Sequence, residues 1–385
     1  MIPYGRQSVD ASDIAAVVEV LQSDWLTQGP LIERFEQAIA QRCGAAHGVA
    51  VCNATAGLHL ACLAAGLGSG DWLWTSPISF VASANCGRYC GASVDFVDID
   101  PRTWTIDVAA LALKLEGAAR QGRLPKVVVA VAFAGQSADM CSLAGLARRY
   151  GFTLIEDAAH AVGARYAGKS VGCGEFADMT VFSFHPVKII TTGEGGMVLT
   201  NRGDLGQRLR LLRSHGITRD AGQMSEDSHG AWYYQQLELG FNYRITDLQA
   251  ALGLSQLARL DDFLARRRAL AARYQALLAN LPVSLQAPQP QAESAWHLFV
   301  VRLQVDRIRR SHREVFDGMR AAGVGVNLHY IPIHLQPYYR ELGFKPGDFP
   351  QAEGYYAGAL SLPMYPGLSE AQQDHVVDSL RGLLT

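Results

Sequence analysis

One lysine stands out in the stretch "VFSFHPVKIITTGEGGMVLT", residues 181–200, where Lys188 falls between an apolar run and a glycine-rich run. The chain has only five lysines, at 114, 126, 169, 188 and 345. The other four sit in a leucine/alanine helix, at a strand start and in two turns, where water can solvate them. Lys188 follows the apolar "MTVFSF" (179–184) by a few residues, with small residues on its other flank. A partly desolvated lysine has a depressed pKa and can act as a Schiff-base nucleophile near neutral pH. An ordinary loop lysine would read the same way taken alone.

A second chemical group ends another apolar run. "FTLIEDAAHAVGA" (152–164) closes a strand with Glu156 and Asp157, followed by small residues and His160. Buried carboxylates need donors or a counter-charge. Asp157 could cap a following helix, or hold a pyridine nitrogen protonated so that the ring stays an electron sink. Lys188 and Asp157 together, at two strand ends of one sheet, point to pyridoxal 5'-phosphate. Its phosphate needs a cradle. "VAVCNATAGLHLA" places Asn53, Ala54, Thr55, Ala56 and Gly57 where a strand gives way to a helix. Free N–H groups and a hydroxyl there suit a dianion. Ser183 adds another hydroxyl. Phe80 could stack on the ring or serve as core, and His160 could pack on the other face or be a satisfied buried histidine.

The elements that position these groups alternate from about residue 45 to 200. Short β-rich runs at 48–51, 71–76, 93–99, 126–133, 152–157, 179–184 and 195–200 are separated by alanine- and leucine-rich helical stretches. This pattern predicts a mostly parallel sheet with helices on both faces, with ligands at the carboxyl ends of its strands. Next, "ITDLQAALGLSQLARLDDFLARRRALAARYQALLANLP" carries a capping box at Thr246 and Gln249 and near-helical apolar spacing up to Pro282. It is expected to form one long linking helix. We expect a large α/β domain over 1–250, then that helix and a smaller C-terminal α+β domain over 251–385.

Composition narrows the function. The 385 residues carry a formal net charge of −2, with 49% hydrophobic and 18% charged residues, and the mean hydropathy is +0.05. No basic block indicates a nucleic-acid partner, and no apolar run is long enough for a membrane span. The opening "MIPYGRQSVDASD" lacks a signal-peptide pattern. Seven cysteines, never as C-x-x-C, are expected to be reduced core thiols of a cytoplasmic protein. No metal site is expected: His329 and His334, separated by "YIPI", have no acidic or cysteine partner at ligand spacing. "GLGSGD" (66–71) follows a helix rather than a strand, which is the wrong context for a dinucleotide loop, and there is no G-x-S-x-G elbow.

"EDAAHAVGA", "FSFHPVKIITTGEGGMV", "GFNYRITDLQAALGLSQL", "HYIPIHLQPYYRELGF" and "FPQAEGYYAGALSLPMYPGL" together resemble the DegT/StrS family of nucleotide-sugar aminotransferases. These are fold-type-I enzymes dependent on pyridoxal phosphate, and the resemblance runs over nearly the whole chain. Within the family, "SFHPVK", "TTGEGG" and "HYIPIHLQPYY" are most similar to enzymes of pseudaminic acid biosynthesis. Those aminate C4 of a UDP-4-keto-6-deoxy-N-acetyl-altrose sugar, with glutamate as donor. The resemblance implies that Lys188 is the Schiff-base lysine and proton shuttle, with Asp157 on the pyridine nitrogen. It implies that Thr55, Ala56 and Ser183 bind phosphate and that Phe80 stacks on the ring. It also implies that Asn242 reaches the phosphate of a partner subunit in a homodimer. His160 stands where the family commonly has glutamine. His329 and Tyr330 are implied for the sugar-nucleotide pocket. A transaminase for another keto-sugar, GDP-linked or with a C3 ketone, remains open. A sugar dehydratase is disfavoured, because in dehydratases of the family histidine takes the lysine's place.

Overall fold

The computed structural model describes residues 1–384. At its centre lies a seven-stranded sheet. The strands are β1 (His47–Val51), β2 (Trp72–Thr75), β3 (Ser93–Phe96), β4 (Val127–Val131), β5 (Thr153–Asp157), β6 (Met179–Ser183) and β7 (Gly196–Thr200). Their spatial order is β1-β7-β6-β5-β4-β2-β3. The pairs β2/β3, β2/β4, β4/β5 and β5/β6 are parallel, while β7 runs antiparallel to both β1 and β6. The exception has a simple cause. Between β6 and β7 the chain makes no helical crossover but doubles back through residues 184–195, closed by Phe184 N–H to Gly195 O and Thr192 N–H to Phe184 O. Lys188 rides on that excursion, beyond the carboxyl end of β6. The fold is thus the expected mostly parallel α/β sheet of fold type I.

Helices cover both faces, among them α1 (Ala11–Leu21), α2 (Pro30–Cys43), α3 (Ala54–Ala64) and α4 (Ala82–Tyr89). One apolar cluster joins α3 and α4 to the sheet through Leu58, Cys62 and Cys86 against Val129, Ile155 and Val181. On the opposite face, Phe35 and Ile39 of α2 pack with Phe182, Phe184 and Leu199. The strands are buried on both sides, so their sequences read as continuous apolar runs rather than alternations.

The single linking helix expected after Thr246 is two helices, α5 (Asp247–Ala258) and α6 (Leu260–Leu278), broken at Arg259. The capping box at Thr246 and Gln249 is present. The break carries no glycine or proline, so local propensity could not announce it. A tertiary contact accompanies it: the Arg259 guanidinium reaches Asp10 at 2.9 Å and the buried Asp13 on α1. The position 250 expected as a domain boundary lies inside α5, which packs on α1 and α2. Along α6, Leu260, Phe263 and Leu264 join the large core, while Leu270, Ala271, Tyr274 and Leu278 join a second one. That second core underlies a three-stranded antiparallel sheet of Val283–Leu285, Phe299–Leu303 and Ala359–Leu362. Residues 333–355 return to the large core through Ile333, Tyr339, Ala352 and Tyr355.

Asp247, fully buried at the start of α5, ties these layers together. Its carboxylate accepts from Gly29 N–H at 2.6 Å and Leu31 N–H at 3.0 Å, capping α2, which has no side-chain cap of its own. Asp247→Ala would leave two donors unpaired. We expect a loss of about 3 kcal/mol, read as a lowered urea unfolding midpoint. An unchanged midpoint would show that water replaces the cap.

Candidate active site

A cavity of about 540 Å³ opens at the carboxyl ends of β4, β5 and β6. Eight of the ten residues singled out from sequence line it: Thr55, Phe80, Asp157, His160, Ser183, Lys188, His329 and Tyr330. Ala56 and Asn242 do not. The Ala56 N–H is taken by the Asn53 side chain, the N-cap of α3, at 2.8 Å. Asn242 is exposed on a segment that pairs with Ser214. A second cavity of about 530 Å³ is lined by Glu36, Arg210, Arg213 and Arg244; no lysine or strand-end carboxylate reaches it.

Asp157 is held from two sides. Ser83 Oγ donates to its Oδ2 at 2.6 Å, and Ala159 N–H donates to its Oδ1 at 3.1 Å. Burial still raises its pKa against these bonds and against the nearby Lys188 charge. Its neighbour Glu156 points to the other face of the strand, where Ser137 Oγ donates to it at 2.6 Å. Burial and then the Asp157 charge push Glu156 up to about 7, against the Ser137 bond. The two acids therefore serve different surroundings, and only Asp157 faces the cavity. Lys188 is half-buried and its amine has no hydrogen-bond partner among the described residues. Burial brings its pKa down to about 8, and the Asp157 carboxylate opposes that fall. The lysine and the acid thus sense each other across one cavity.

The cradle has the composition a phosphate requires. The N–H groups of Ala54 and Thr55, in the first turn of the eleven-residue α3, have no intrachain acceptor among the described residues. The helix end is positive, and Thr55 and Ser183 add hydroxyls. At this point β7 runs close under the helix end: a Cβ on Gly196 would lie 2.8 Å from Ala54 N. Phe80, 57% exposed, stands 6.2 Å from the Tyr330 ring, measured between centroids. His329 Nδ1 bonds Ser361 Oγ at 2.8 Å, and burial, then Lys188, brings its pKa to about 3. It is a neutral imidazole. His329 and Tyr330 share the Lys188 cavity instead of forming a separate pocket.

Several residues here carried no readable signal. Ser83 holds Asp157 but sits in an unremarkable "FVASAN". Tyr4 arrives from the N-terminus, and Asn327 and His297 from the second core. His297 lies two residues before the strand Phe299–Leu303.

A strand-end lysine facing a buried carboxylate beside a free helix N-terminus is an arrangement that a pyridoxal-phosphate transaminase could use. Comparison with known proteins agrees. The DegT/DnrJ/EryC1/StrS aminotransferase family matches residues 7–381, and the chain belongs to that family of pyridoxal-phosphate-dependent enzymes. It is similar to the spore coat polysaccharide biosynthesis protein SpsC of Bacillus subtilis, at 39% identity over 100% of this chain and 97% of that one. Among solved structures it resembles Helicobacter pylori PseC, an aminotransferase involved in the biosynthesis of pseudoaminic acid. The TM-score is 0.90, with 29% identity over 100% and 99% of the two chains. It also resembles the PMP-form of Spr1654 from Streptococcus pneumoniae, at TM-score 0.89 and 27% identity over 100% and 99%. The protein is a sugar aminotransferase of this family. No described helix is long and apolar enough to cross a membrane.

Proposed function

We propose that this chain binds pyridoxal 5'-phosphate and moves an amino group from L-glutamate to the C4 ketone of a UDP-4-keto-6-deoxy-N-acetylhexosamine. The product would be UDP-4-amino-4,6-dideoxy-N-acetyl-altrosamine, on the route to pseudaminic acid. The observation that carries the reading is one cavity joining the Lys188 amine, the Asp157 carboxylate and the open N-terminus of α3. The residues fit the cofactor: free N–H groups with Thr55 and Ser183 for the phosphate, Phe80 and His160 for the two ring faces, Asp157 for the ring nitrogen. When bound, the cofactor supplies an electron sink that acidifies the donor's Cα–H bond. Lys188, neutral in a useful fraction near pH 8, takes that proton and delivers one to C4 of the sugar. Asp157 holds a proton on the ring nitrogen.

The exposed Trp232 (76%) and Leu239 (81%) support a homodimer. In it, Asn242 would complete the phosphate cradle of the partner. The likeness to PseC supports the altrose-configured UDP sugar. The higher identity to SpsC favours a second reading, in which the acceptor is another nucleotide-linked keto-sugar, GDP- or dTDP-linked, destined for a surface polysaccharide. The presence of Lys188 in the cavity speaks against a dehydratase.

A panel of UDP-, GDP- and dTDP-keto-sugars, each offered with L-glutamate, separates these readings by product mass and by the carbon aminated. We expect turnover of the UDP-4-keto-N-acetyl sugar at least about a hundredfold faster than of the others. Preference for a GDP- or dTDP-linked sugar, or amination at C3, would overturn the first reading.

A further inference from the structure

A short hydrogen-bond chain in the cavity wall has a direction that its geometry dictates. After β4 the chain makes one tight turn, Phe133–Gly135. Ala134 there adopts φ +60° and Gly135 φ +107°, both in the left-handed region, which is uncommon for alanine. The turn is pinned from outside: Leu298 N–H bonds Ala134 O at 3.3 Å and Ala295 N–H bonds Gly135 O at 3.0 Å. A side chain at Gly135 would meet Trp296 N at 2.8 Å and His160 O at 3.2 Å. So placed, the Ala134 N–H points at Nδ1 of the buried His160, 3.3 Å away.

A backbone N–H can only donate, so Nδ1 must be the bare, accepting nitrogen. An imidazolium, or the Nδ1–H tautomer, would set two protons against each other. The one ring proton is therefore on Nε2. That nitrogen lies 3.1 Å from Tyr330 Oη, and its N–H donates to the phenol oxygen. Burial and the Lys188 charge further keep His160 neutral. Tyr330 thus receives a hydrogen bond from His160, and its own O–H proton is left over. No described residue accepts it, and Tyr330 lines the cavity with Lys188 and Asp157.

We propose that Tyr330 is a hydrogen-bond donor to an anionic oxygen bound in this cavity, with Ala134 and His160 as the positioning residues that set its polarity. This rests on the reading above, in which the cavity holds pyridoxal phosphate and an amino acid. Two oxygens of the right chemistry would then be present: the phenolate of the cofactor ring and the carboxylate of the amino donor. A glutamine at position 160 could set the same polarity. A glutamine amide offers one acceptor and one donor group, the same pair His160 spends on Ala134 and Tyr330.

The first test reads the tautomer and is independent of the cofactor. In full-length protein labelled with ¹⁵N-histidine, with the His160 signals assigned by their loss in His160→Gln, we expect a bare Nδ1 and a protonated Nε2. Neither should change between about pH 5.5 and 8.5, since a buried imidazole resists charging. An Nδ1–H tautomer, or titration in that range, overturns the proposal. The second test uses Tyr330→Phe in the holoenzyme. A shift of about one unit or more in the pH at which the visible absorption changes assigns the phenolate as acceptor. An unchanged spectrum with KM for L-glutamate raised about tenfold or more and kcat within about twofold assigns the donor carboxylate. If neither moves, Tyr330 donates to nothing and the proposal fails. His160→Phe should follow Tyr330→Phe in this second test; a His160→Phe protein with wild-type values would also overturn it. Were the wild-type protein unable to bind pyridoxal phosphate at all, the functional reading would fall while the tautomer result would still stand.

Discussion

Lys188→Ala should abolish transamination, with the rate falling by about 10⁴-fold or more, while the protein still folds and still retains cofactor non-covalently. The expectation follows from where the amine sits. Its pKa is brought down to about 8 by burial, so near pH 8 it is both a nucleophile and a base. No other lysine lines the cavity. The other groups proposed to hold the cofactor, at the helix N-terminus, Ser183 and Asp157, are untouched by the change. The measurement is product formation by mass, alongside borohydride treatment and peptide mapping. In the wild type, reduction should add the cofactor's mass to the peptide containing Lys188; in the variant it should add nothing. A Lys188→Ala protein within about tenfold of the wild-type rate would show that another group carries the proton.

Asp157→Asn should cost about 10²- to 10⁴-fold in rate without costing stability. The two effects separate because of the sign of the pKa shift. Burial raises the folded-state pKa of Asp157 above its ordinary value, so the charged carboxylate is a burden on the native state. That burden is complete above the folded pKa and vanishes below the unfolded value of about 3.9. Removing the charge should therefore leave the melting temperature of the cofactor-free protein at pH 7 unchanged or higher. Lys188 carries the complementary sign. As a cation with its pKa lowered from 10.5, it destabilises the fold fully below about 8 and not at all above its unfolded pKa. Asp157 is the charge that raises it, so Asp157→Asn should let the Lys188 pKa fall below 8. Acetic anhydride labelling of Lys188, followed against pH in the cofactor-free protein, should then rise at lower pH in the variant. A profile that stays in place would mean that the two charges do not interact. A melting temperature lowered by several degrees would make Asp157 a structural cap rather than a functional acid.

Legibility differed between the two halves of the site. Asp157, Ser183 and Lys188 could be read because each closes or follows a strand buried on both faces, and a polar group there interrupts an apolar run. Thr55 was readable by the same break, from strand to helix. Ser83, Tyr4 and His297 interrupt nothing. They reach the cavity only because α4, the N-terminus and the second core converge on it, contacts separated by 74 residues in the case of Ser83 and Asp157. The split of the linking helix at Arg259 was hidden for a related reason. Arginine favours helix, and the ion pairs formed at the break reach about 250 residues back along the chain, to α1.

From its residues alone this chain determined the sheet, the lysine and the acid, because burial writes itself into local composition: strands covered on both sides must be apolar, and exceptions are conspicuous. Only the tertiary structure decided which way β7 runs, where His329 and Tyr330 point, and which nitrogen of His160 holds its proton. Those depend on which backbone groups lie within hydrogen-bond reach across the fold. No local pattern of side chains encodes a distance between residues so far apart in sequence.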